Sequence, residues 1–557
     1  MTRPIDLLHE GRKEELWQMC CGFLNLSLEE FMIIQKRLLL EQIELLKSCE
    51  LGRRLMRGAM PETVQEFREH VPLTTYEDYL PELVERSEDW LPQKPAMWVH
   101  TVGRAGEYNF KWVPLSERFL SEFERVAAGV GLLASCNPRG DFPLKEHMKS
   151  LPSISSRYYG SGVVGYLMQQ ALGIEFLPSN VNLSGMTFQQ KMNAAFEEAL
   201  SQGLDAVGGL PSILVYIGEM FKQRTPSAGA RFLLSHPTAC ARLIRGQIRS
   251  KLGGRPMIPK DLWSLKAIIG GGTDSAVFRE SVEELWGRRP LEVYGGTEGG
   301  IYAIQTWDYE SLTFVPNLNF LEFISERERF KWELDHSYQP KTILLDEVSP
   351  GENYEPVITN FHGSIMTRYR LGDMVSITSL RNEKLNTDIP QMIFHSRADD
   401  LVDIAGLGRV TERIIWEAIA NAGIPHVDWV ARKEIVDHKP VLHIYLELRD
   451  GQIINEERLA TAIVRQFRRL DRKYRCNFYR LIGDMEAVLD LRPVEVTLLP
   501  QGAFPSHISQ RRAEVVGLGH LRLTRINPSD EMLSLLRAPE VAVEAAPVPQ
   551  AERAPAR

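Results

Sequence analysis

Apolar positions along this chain follow two rhythms, one helical and one of short strands. Residues 27–46 (SLEEFMIIQKRLLLEQIELL) carry apolar side chains at helical spacing behind a Ser27–Glu30 capping box, which predicts a packed helix. Residues 67–80 predict a helix end, a Pro-marked turn and a second helix opening at Thr74 or Thr75. Residues 97–114 read as two strand-like flanks around a loop with Gly103, Arg104 and Gly106, followed by Lys111; a helix starts from Ser116. Helices and strands then alternate. Helices are predicted at 160–172, 187–201, from Pro211, and around 281–285; strands are predicted at 174–177, 204–207, 263–269 and from Leu291. Such alternation implies parallel strands and an α/β core.

Past residue 300 the pattern changes to short strands at 319–325, 342–345, 354–359 and 374–378. Charged and Pro/Gly stretches, Ser325-Glu-Arg-Glu-Arg-Phe330 and Ser349-Pro-Gly-Glu352, separate them, which predicts a smaller β-rich subdomain at about 301–396. A boundary falls near His395-Ser-Arg397-Ala-Asp399-Asp400. Beyond it a unit of ordinary domain size holds a helix at 411–422, a strand at 441–448, a helix at 455–470 and a strand at 494–499. The expected fold class is α/β: a large N-terminal α/β domain (1–396) with its β-rich subdomain, and a small mobile α+β C-terminal domain (397–537). The tail at 538–557 has little to bury and is expected to be disordered.

Length supports this division, because 557 residues exceed one ordinary core. A net charge of −8 gives no support to nucleic-acid binding. The only dense basic run, 465–475, reads as the solvated face of a helix, with anion docking as the alternative. Six scattered cysteines form no C-x-x-C pair, which argues against zinc and suits a reducing compartment. The first dozen residues lack the apolar core of a secretory signal, and no uncharged apolar run approaches ~18 residues. No membrane partner is expected, and the expected location is cytoplasmic.

Candidate chemistry centres on Leu291-Glu-Val-Tyr294-Gly295-Gly296-Thr297-Glu298-Gly299-Gly300. A strand ends at Val293 and meets glycines expected to break it. A carboxylate at the carboxyl end of a central strand, beside glycines, is where open α/β sheets bind ligands. Glu298 could hold a hard cation such as Mg²⁺; the alternative is a Gly-rich turn that contains a Glu. The loop before Lys111 could present N–H groups and a charge to phosphate oxygens, or be an ordinary hairpin turn.

Four motifs in order, the loop near Gly103, Tyr294-Gly-Gly-Thr-Glu298, Arg368-Tyr-Arg-Leu-Gly-Asp373 and Arg397-Ala-Asp-Asp400, resemble the adenylate-forming superfamily of acyl-CoA ligases, peptide-synthetase adenylation domains and luciferase. Within it the chain is similar to the plant-type acyl acid amido synthetases that conjugate auxin or jasmonate to amino acids. FREHVPLTTYEDY at 67–79, PKTILLDEVSPG at 340–351 and DDLVDIAGL at 399–407 extend the likeness, which covers roughly 60–536.

The resemblance implies ATP and Mg²⁺ as cofactors, and a carboxylic acid and an amine as substrates. It implies a phosphate loop at Thr101, Gly103, Gly106 and Lys111, and an adenine pocket at Gly271, Gly272, Thr273 and Tyr294, whose strand continues through Gly295 and Gly296. Thr297 would meet the α-phosphate, Glu298 the Mg²⁺, Asp373 and Arg397 the ribose, and Asp399 would be the interdomain hinge. Two departures stand out. The loop reads His-Thr-Val-Gly-Arg-Ala-Gly where the family has hydroxyl-rich residues, and Arg522 falls at the position of a C-terminal lysine. An Arg is not equivalent to a Lys, because its head is planar and larger. The implied reaction is acyl-adenylate formation followed by amide formation. The alternatives are thioester formation with coenzyme A, and a non-catalytic nucleotide- or acyl-binding regulator. Tyr158, Tyr159, Tyr166, Leu167 and Met168 fall where the family lines its acyl pocket, or are ordinary core.

Overall fold

Among the described residues, one mixed sheet of thirteen strands unites the two regions whose sequence patterns differ. The computed structural model describes residues 2–101, 111–137, 140–151, 160–179, 188–223, 230–272, 275–397, 401–404, 408–436, 439–449, 455–474, 494–504, 525–528 and 530–537. A separate hairpin, β1 (Pro95–His100) and β2 (Trp112–Ser116), comes first. The sheet is then built from β3 (Lys149–Ser150), β4 (Glu175–Phe176), β5 (Ala206–Gly209), β6 (Ala267–Gly271), β7 (Leu291–Gly296), β8 (Gly300–Gln305) and β9 (Leu312–Phe314). It continues with β10 (Asn319–Ser325), β11 (Thr342–Ile343), β12 (Asn353–Asn360), β13 (Tyr369–Arg370), β14 (Asp373–Ser379) and β15 (Gln391–Arg397).

The spatial order is β11-β10-β12-β14-β15-β9-β8-β7-β6-β5-β3-β4, with β13 beside β12. Pairs from β7 through β6, β5 and β3 to β4 are parallel, and every pair from β7–β8 outward to β11 is antiparallel. Parallel neighbours need long crossovers, here helices such as Gly160–Leu172, Phe188–Gln202 and Ser275–Trp286, whereas antiparallel neighbours need only turns. That difference produced the change of sequence texture near residue 300. The β-rich stretch forms the antiparallel part of the same sheet.

Two expectations change. The glycines after Val293 do not break the strand: β7 runs on through Gly296 and turns back into β8 as a hairpin. A Cβ on Gly295 would lie 2.5 Å from the Gly300 carbonyl oxygen, so the missing side chain is what lets the two strands close. The charged run after Ser325 is a helix, Glu326–Leu334, whose first turn is capped by the Ser325 hydroxyl accepting from the Glu328 N–H. Its charges are the solvated side of that helix, a case where capping mattered more than apolar periodicity.

The helix predicted at 27–46 is present as Leu28–Ser48, with both halves of the Ser27–Glu30 box formed. It grips the sheet through two buried glutamines. Gln35 donates to the Pro316 and Asn319 carbonyls at 2.6 and 2.7 Å, and Gln42 donates to the Ser364 carbonyl at 2.7 Å. The helix Glu117–Ser135, capped by Ser116, buries almost its whole second half.

In the C-terminal part, β16 (Leu401–Ile404) and β17 (Gly408–Thr411) form a small hairpin. β18 (His426–Val436), β19 (Lys439–Leu448) and β20 (Val494–Leu498) form a three-stranded sheet with helices Glu412–Asn421 and Glu456–Tyr474. β18 was not legible in the sequence because Arg432, Lys433 and Glu434 interrupt its apolar pattern. On Glu456–Tyr474, Arg465, Arg468 and Arg469 are exposed while Phe467 and Leu470 are buried, as expected of a solvated basic face. The tail at 538–557 lies outside the described residues. Among those that are described, no helix is long and apolar enough to cross a membrane.

Candidate active site

The β1–β2 hairpin closes on Thr101 and Lys111. The Thr101 N–H donates to the Lys111 carbonyl at 3.1 Å, and the Lys111 N–H to the Thr101 hydroxyl at 3.2 Å. This fixes where the lysine side chain starts. Its ammonium donates to the Tyr369 hydroxyl at 2.8 Å and lies 3.5 Å from Glu298 Oε1, while Tyr369 itself donates to the same oxygen at 3.5 Å. The rings of Tyr76 and Tyr369 face the ammonium at 5.5 and 5.6 Å, a favourable arrangement for a cation.

Glu298 is in the turn between β7 and β8, and two buried asparagines anchor that turn. Asn360 Nδ2 donates to the Glu298 carbonyl at 3.1 Å and to Asn319 Oδ1 at 2.8 Å; Asn319 Nδ2 donates to the Gly299 carbonyl at 2.8 Å. The two asparagines are cross-strand partners on β10 and β12. Burial by itself would push the Glu298 carboxyl up. Lys111, a hydrogen bond from the turn backbone, and Arg397 together outweigh burial and hold it below the ordinary carboxylate range. Glu298 is thus poised as an anion.

A second carboxylate lies beside this one. Asp373 opens β14 directly opposite Arg397, which ends β15, and Arg397 Nη1 is 3.0 Å from Asp373 Oδ1. The other oxygen accepts from the Tyr294 hydroxyl at 3.0 Å. Tyr294 is only 8% exposed, with its ring 5.2 Å from that of Tyr302 and 6.2 Å from that of Phe394. Burial, then the charge of Asp373, raises the Tyr294 phenol well above its usual value, so it stays a donor. Tyr294 and Glu298 belong to one strand and its turn, so β7 ties the two carboxylate clusters together.

Gly271 ends β6 beside Val293 on β7, so the glycine turn expected next to Tyr294 is its neighbour in space. Gly272 has φ +119°, a conformation open to glycine and strained for other residues. Thr297 and Gly296 are half-buried at the hairpin turn, and Gly295 is exposed. Gly103, Gly106, Thr273, Asp399, Arg522, Tyr158 and Tyr159 lie outside the described residues. Leu167 and Met168 are buried, and a Cβ on Gly131 would meet Met168 Cε at 3.1 Å, so Met168 packs against the helix Glu117–Ser135. Tyr166 is half-buried.

The motif arginines 368 and 370 are structural. Arg368 pairs with the buried Glu322, and Arg370 with the buried Glu355 while stacking on Trp332. Sequence reasoning gave no role to Tyr369, although it lies inside a quoted motif. It missed Asn319 and Asn360 altogether, because a strand asparagine carries no local signal of what it faces. No group of three metal-ligating side chains occurs among the described residues. A single ionised carboxylate fits Mg²⁺ that arrives with phosphates and keeps much of its water, since Mg²⁺ is commonly held that way.

Residues 21–195 match the GH3 family N-terminal domain, and residues 312–397 match the GH3 family central domain. The chain is 26% identical over 250 residues to the 4-substituted benzoates-glutamate ligase of Arabidopsis thaliana, covering 42% of this chain and 39% of that one. It is 35% identical over 133 residues to a jasmonoyl-L-amino acid synthetase of Nicotiana attenuata, covering 23% of this chain and 21% of the relative. These alignments span well under half the length of the curated relatives. A 2-hydroxyisobutyryl-CoA ligase, solved with 2-HIB-AMP and CoA, aligns with a TM-score of 0.53 at 14% identity over 93% of each chain, which shows a shared fold.

Proposed function

We propose that this chain, which carries the N-terminal and central domains of the GH3 family, uses ATP to activate a carboxylic acid and passes the acyl group to an amine, with an amino acid as acceptor. The observation that carries this reading is the pair of clusters on β7: Glu298 held as an anion by Lys111, and Asp373 held by Tyr294 and Arg397. In the first half-reaction a carboxylate oxygen attacks the α-phosphorus of ATP, the bond to pyrophosphate breaks, and pyrophosphate leaves. In the second, the amine attacks the acyl carbon, the bond to AMP breaks, and the amine gives up a proton to solvent.

Both partners in the first step are anions, so positioning and charge neutralisation are the catalytic task. Lys111 supplies a fixed positive charge whose direction Tyr369 sets. Mg²⁺ held by Glu298 would neutralise phosphate charge when bound. Asp373, held by Tyr294 and Arg397, accepts from the ribose hydroxyls. On this reading Thr101, Gly296 and Thr297 serve the phosphates and Gly271, Gly272, Gly295 and Tyr294 the base, while the roles of Gly103, Gly106 and Thr273 are those the sequence motifs imply. By the sequence motifs, Arg522 would be the basic residue that the C-terminal domain delivers, with Asp399 as its hinge. Named relatives that join acids to amino acids support the amine as acceptor.

The test is ATP–pyrophosphate exchange across a panel of carboxylic acids. Acid-dependent exchange, followed by amino-acid-dependent AMP release, is expected. No exchange with any acid while nucleotide still binds would favour the regulatory alternative. AMP release that needs coenzyme A would assign a thioester product.

A further inference from the structure

One stretch of this acidic chain is basic in sequence. Between Glu219 and Asp261 the sequence holds nine Lys and Arg residues and not one Asp or Glu. The helix Pro237–Leu252 lies in the middle of that stretch. Its inner face is committed to the fold: Ala239 and Gly246 are buried, and a Cβ on Gly246 would fall 2.5 Å from Leu262 Cδ2. Its outer face is apolar where a surface helix is normally polar. Ile244 and Ile248 are each 54% exposed and Leu252 is 84% exposed. The spacing i, i+4, i+8 puts all three in one stripe along the helix. Leu234, 86% exposed on the short helix just before it, adds a fourth projecting apolar side chain.

Charge flanks the stripe on both sides. Arg245 and Arg249 are exposed along one edge, where they also donate to the Leu262 and Asp261 carbonyls, and Lys251 is exposed along the other. An apolar stripe bordered by cations is the pattern of a helix lying in the plane of a lipid interface: aliphatic groups enter the acyl boundary while the cations meet the headgroups. Nucleic acid would satisfy the charge but leave four large aliphatic side chains without an apolar environment. A second copy of the same face would bring cation against cation.

We propose that the helix Pro237–Leu252 docks this protein on an anionic lipid surface as a peripheral contact. Such a contact needs no membrane-spanning helix. Each cation near an anionic leaflet and each aliphatic group removed from water adds to the attraction, so both composition and apolar area must matter.

The experiment is cosedimentation of the full chain with phosphatidylcholine vesicles and with vesicles containing about one-quarter phosphatidylglycerol. The parent is expected to partition onto the anionic vesicles and not onto the neutral ones. The triple variant Ile244→Ser, Ile248→Ser, Leu252→Ser should lose about tenfold or more of that partitioning without a change in melting temperature, because its side chains are already exposed. Lys251→Glu should weaken binding independently. Ile33→Ser, at a 58% exposed site on the helix Leu28–Ser48, should leave it unchanged. Failure of the parent to bind anionic vesicles, which would leave a protein partner for this face, overturns the proposal. So does a triple variant that binds as the parent does, or an equal loss with Ile33→Ser.

Discussion

Asn360→Leu tests whether buried strand polarity holds the turn that carries Glu298. The Asn360 side chain serves three groups at once: the Glu298 carbonyl at 3.1 Å, Asn319 Oδ1 at 2.8 Å and the Met366 N–H at 3.0 Å. The residue is fully buried, so no water replaces what is lost. Leucine has nearly the same size and none of these bonds. Each buried polar group left unpaired costs about 1–3 kcal/mol, and neighbouring losses do not add fully, so the variant should lose about 3–6 kcal/mol. That is a large part of an ordinary folding free energy of about 5–15 kcal/mol. In urea the unfolding midpoint should fall by about 1 M or more. Under conditions where the variant stays folded, the freed turn should let Glu298 move relative to Lys111. A displacement of about 1 Å in a positioned group can cost about 100-fold in rate, which ATP–pyrophosphate exchange would register. Asn360→Asp should not rescue the turn, because its second oxygen would face two acceptors, the Glu298 carbonyl and Asn319 Oδ1, where the amide donates. A leucine variant with the parent's midpoint and exchange rate would refute the claim that these asparagines hold the turn.

Other outcomes follow from the proposed roles. Glu298→Gln keeps the shape and removes the charge, so exchange should fall by orders of magnitude while circular dichroism stays unchanged; an unaltered rate would remove Glu298 from the mechanism. Asp373→Ala should weaken ATP binding strongly, and 2′,3′-dideoxy-ATP should bind the parent poorly in a competition assay. The folded-state pKa of Glu298 is depressed, so its contribution to stability is present above 4.5 and is lost as pH falls through the lower folded value. Lys111→Met removes the largest charge opposing burial, which should move the acidic limb of the exchange–pH profile upward; an unmoved limb would mean that the lysine does not act on Glu298. Arg522→Ala should slow adenylation and spare transfer from a supplied acyl-adenylate, and equal losses in both half-reactions would show that it has no step-specific role.

Local chemistry was enough to read much of this protein. The Ser27–Glu30 box, the helix Gly160–Leu172, the strand at 319–325 and the position of Lys111 after a loop all depend on a few neighbouring residues, and a short window of sequence contains them. The motif residues Glu298 and Asp373 were legible as candidate carboxylates for the same reason. Only the tertiary structure decided what they meet. Tyr369 is far from both Lys111 and Glu298 in sequence yet bridges them, because β13 pairs with β12. Asn319 and Asn360 reach the turn because β10 and β12 pair in one register, and a shift of one residue would turn both away. The glycines after Tyr294 read as a strand end because glycine alone disfavours strands; the partner strand β8, which requires their lack of a Cβ, makes them a hairpin instead. The merging of two sequence textures into one sheet is equally nonlocal, since strand order is set by which edges pair and not by the residues within any strand. Periodicity and capping are properties of a segment, whereas register, burial and the pairing of charges are properties of segments brought together.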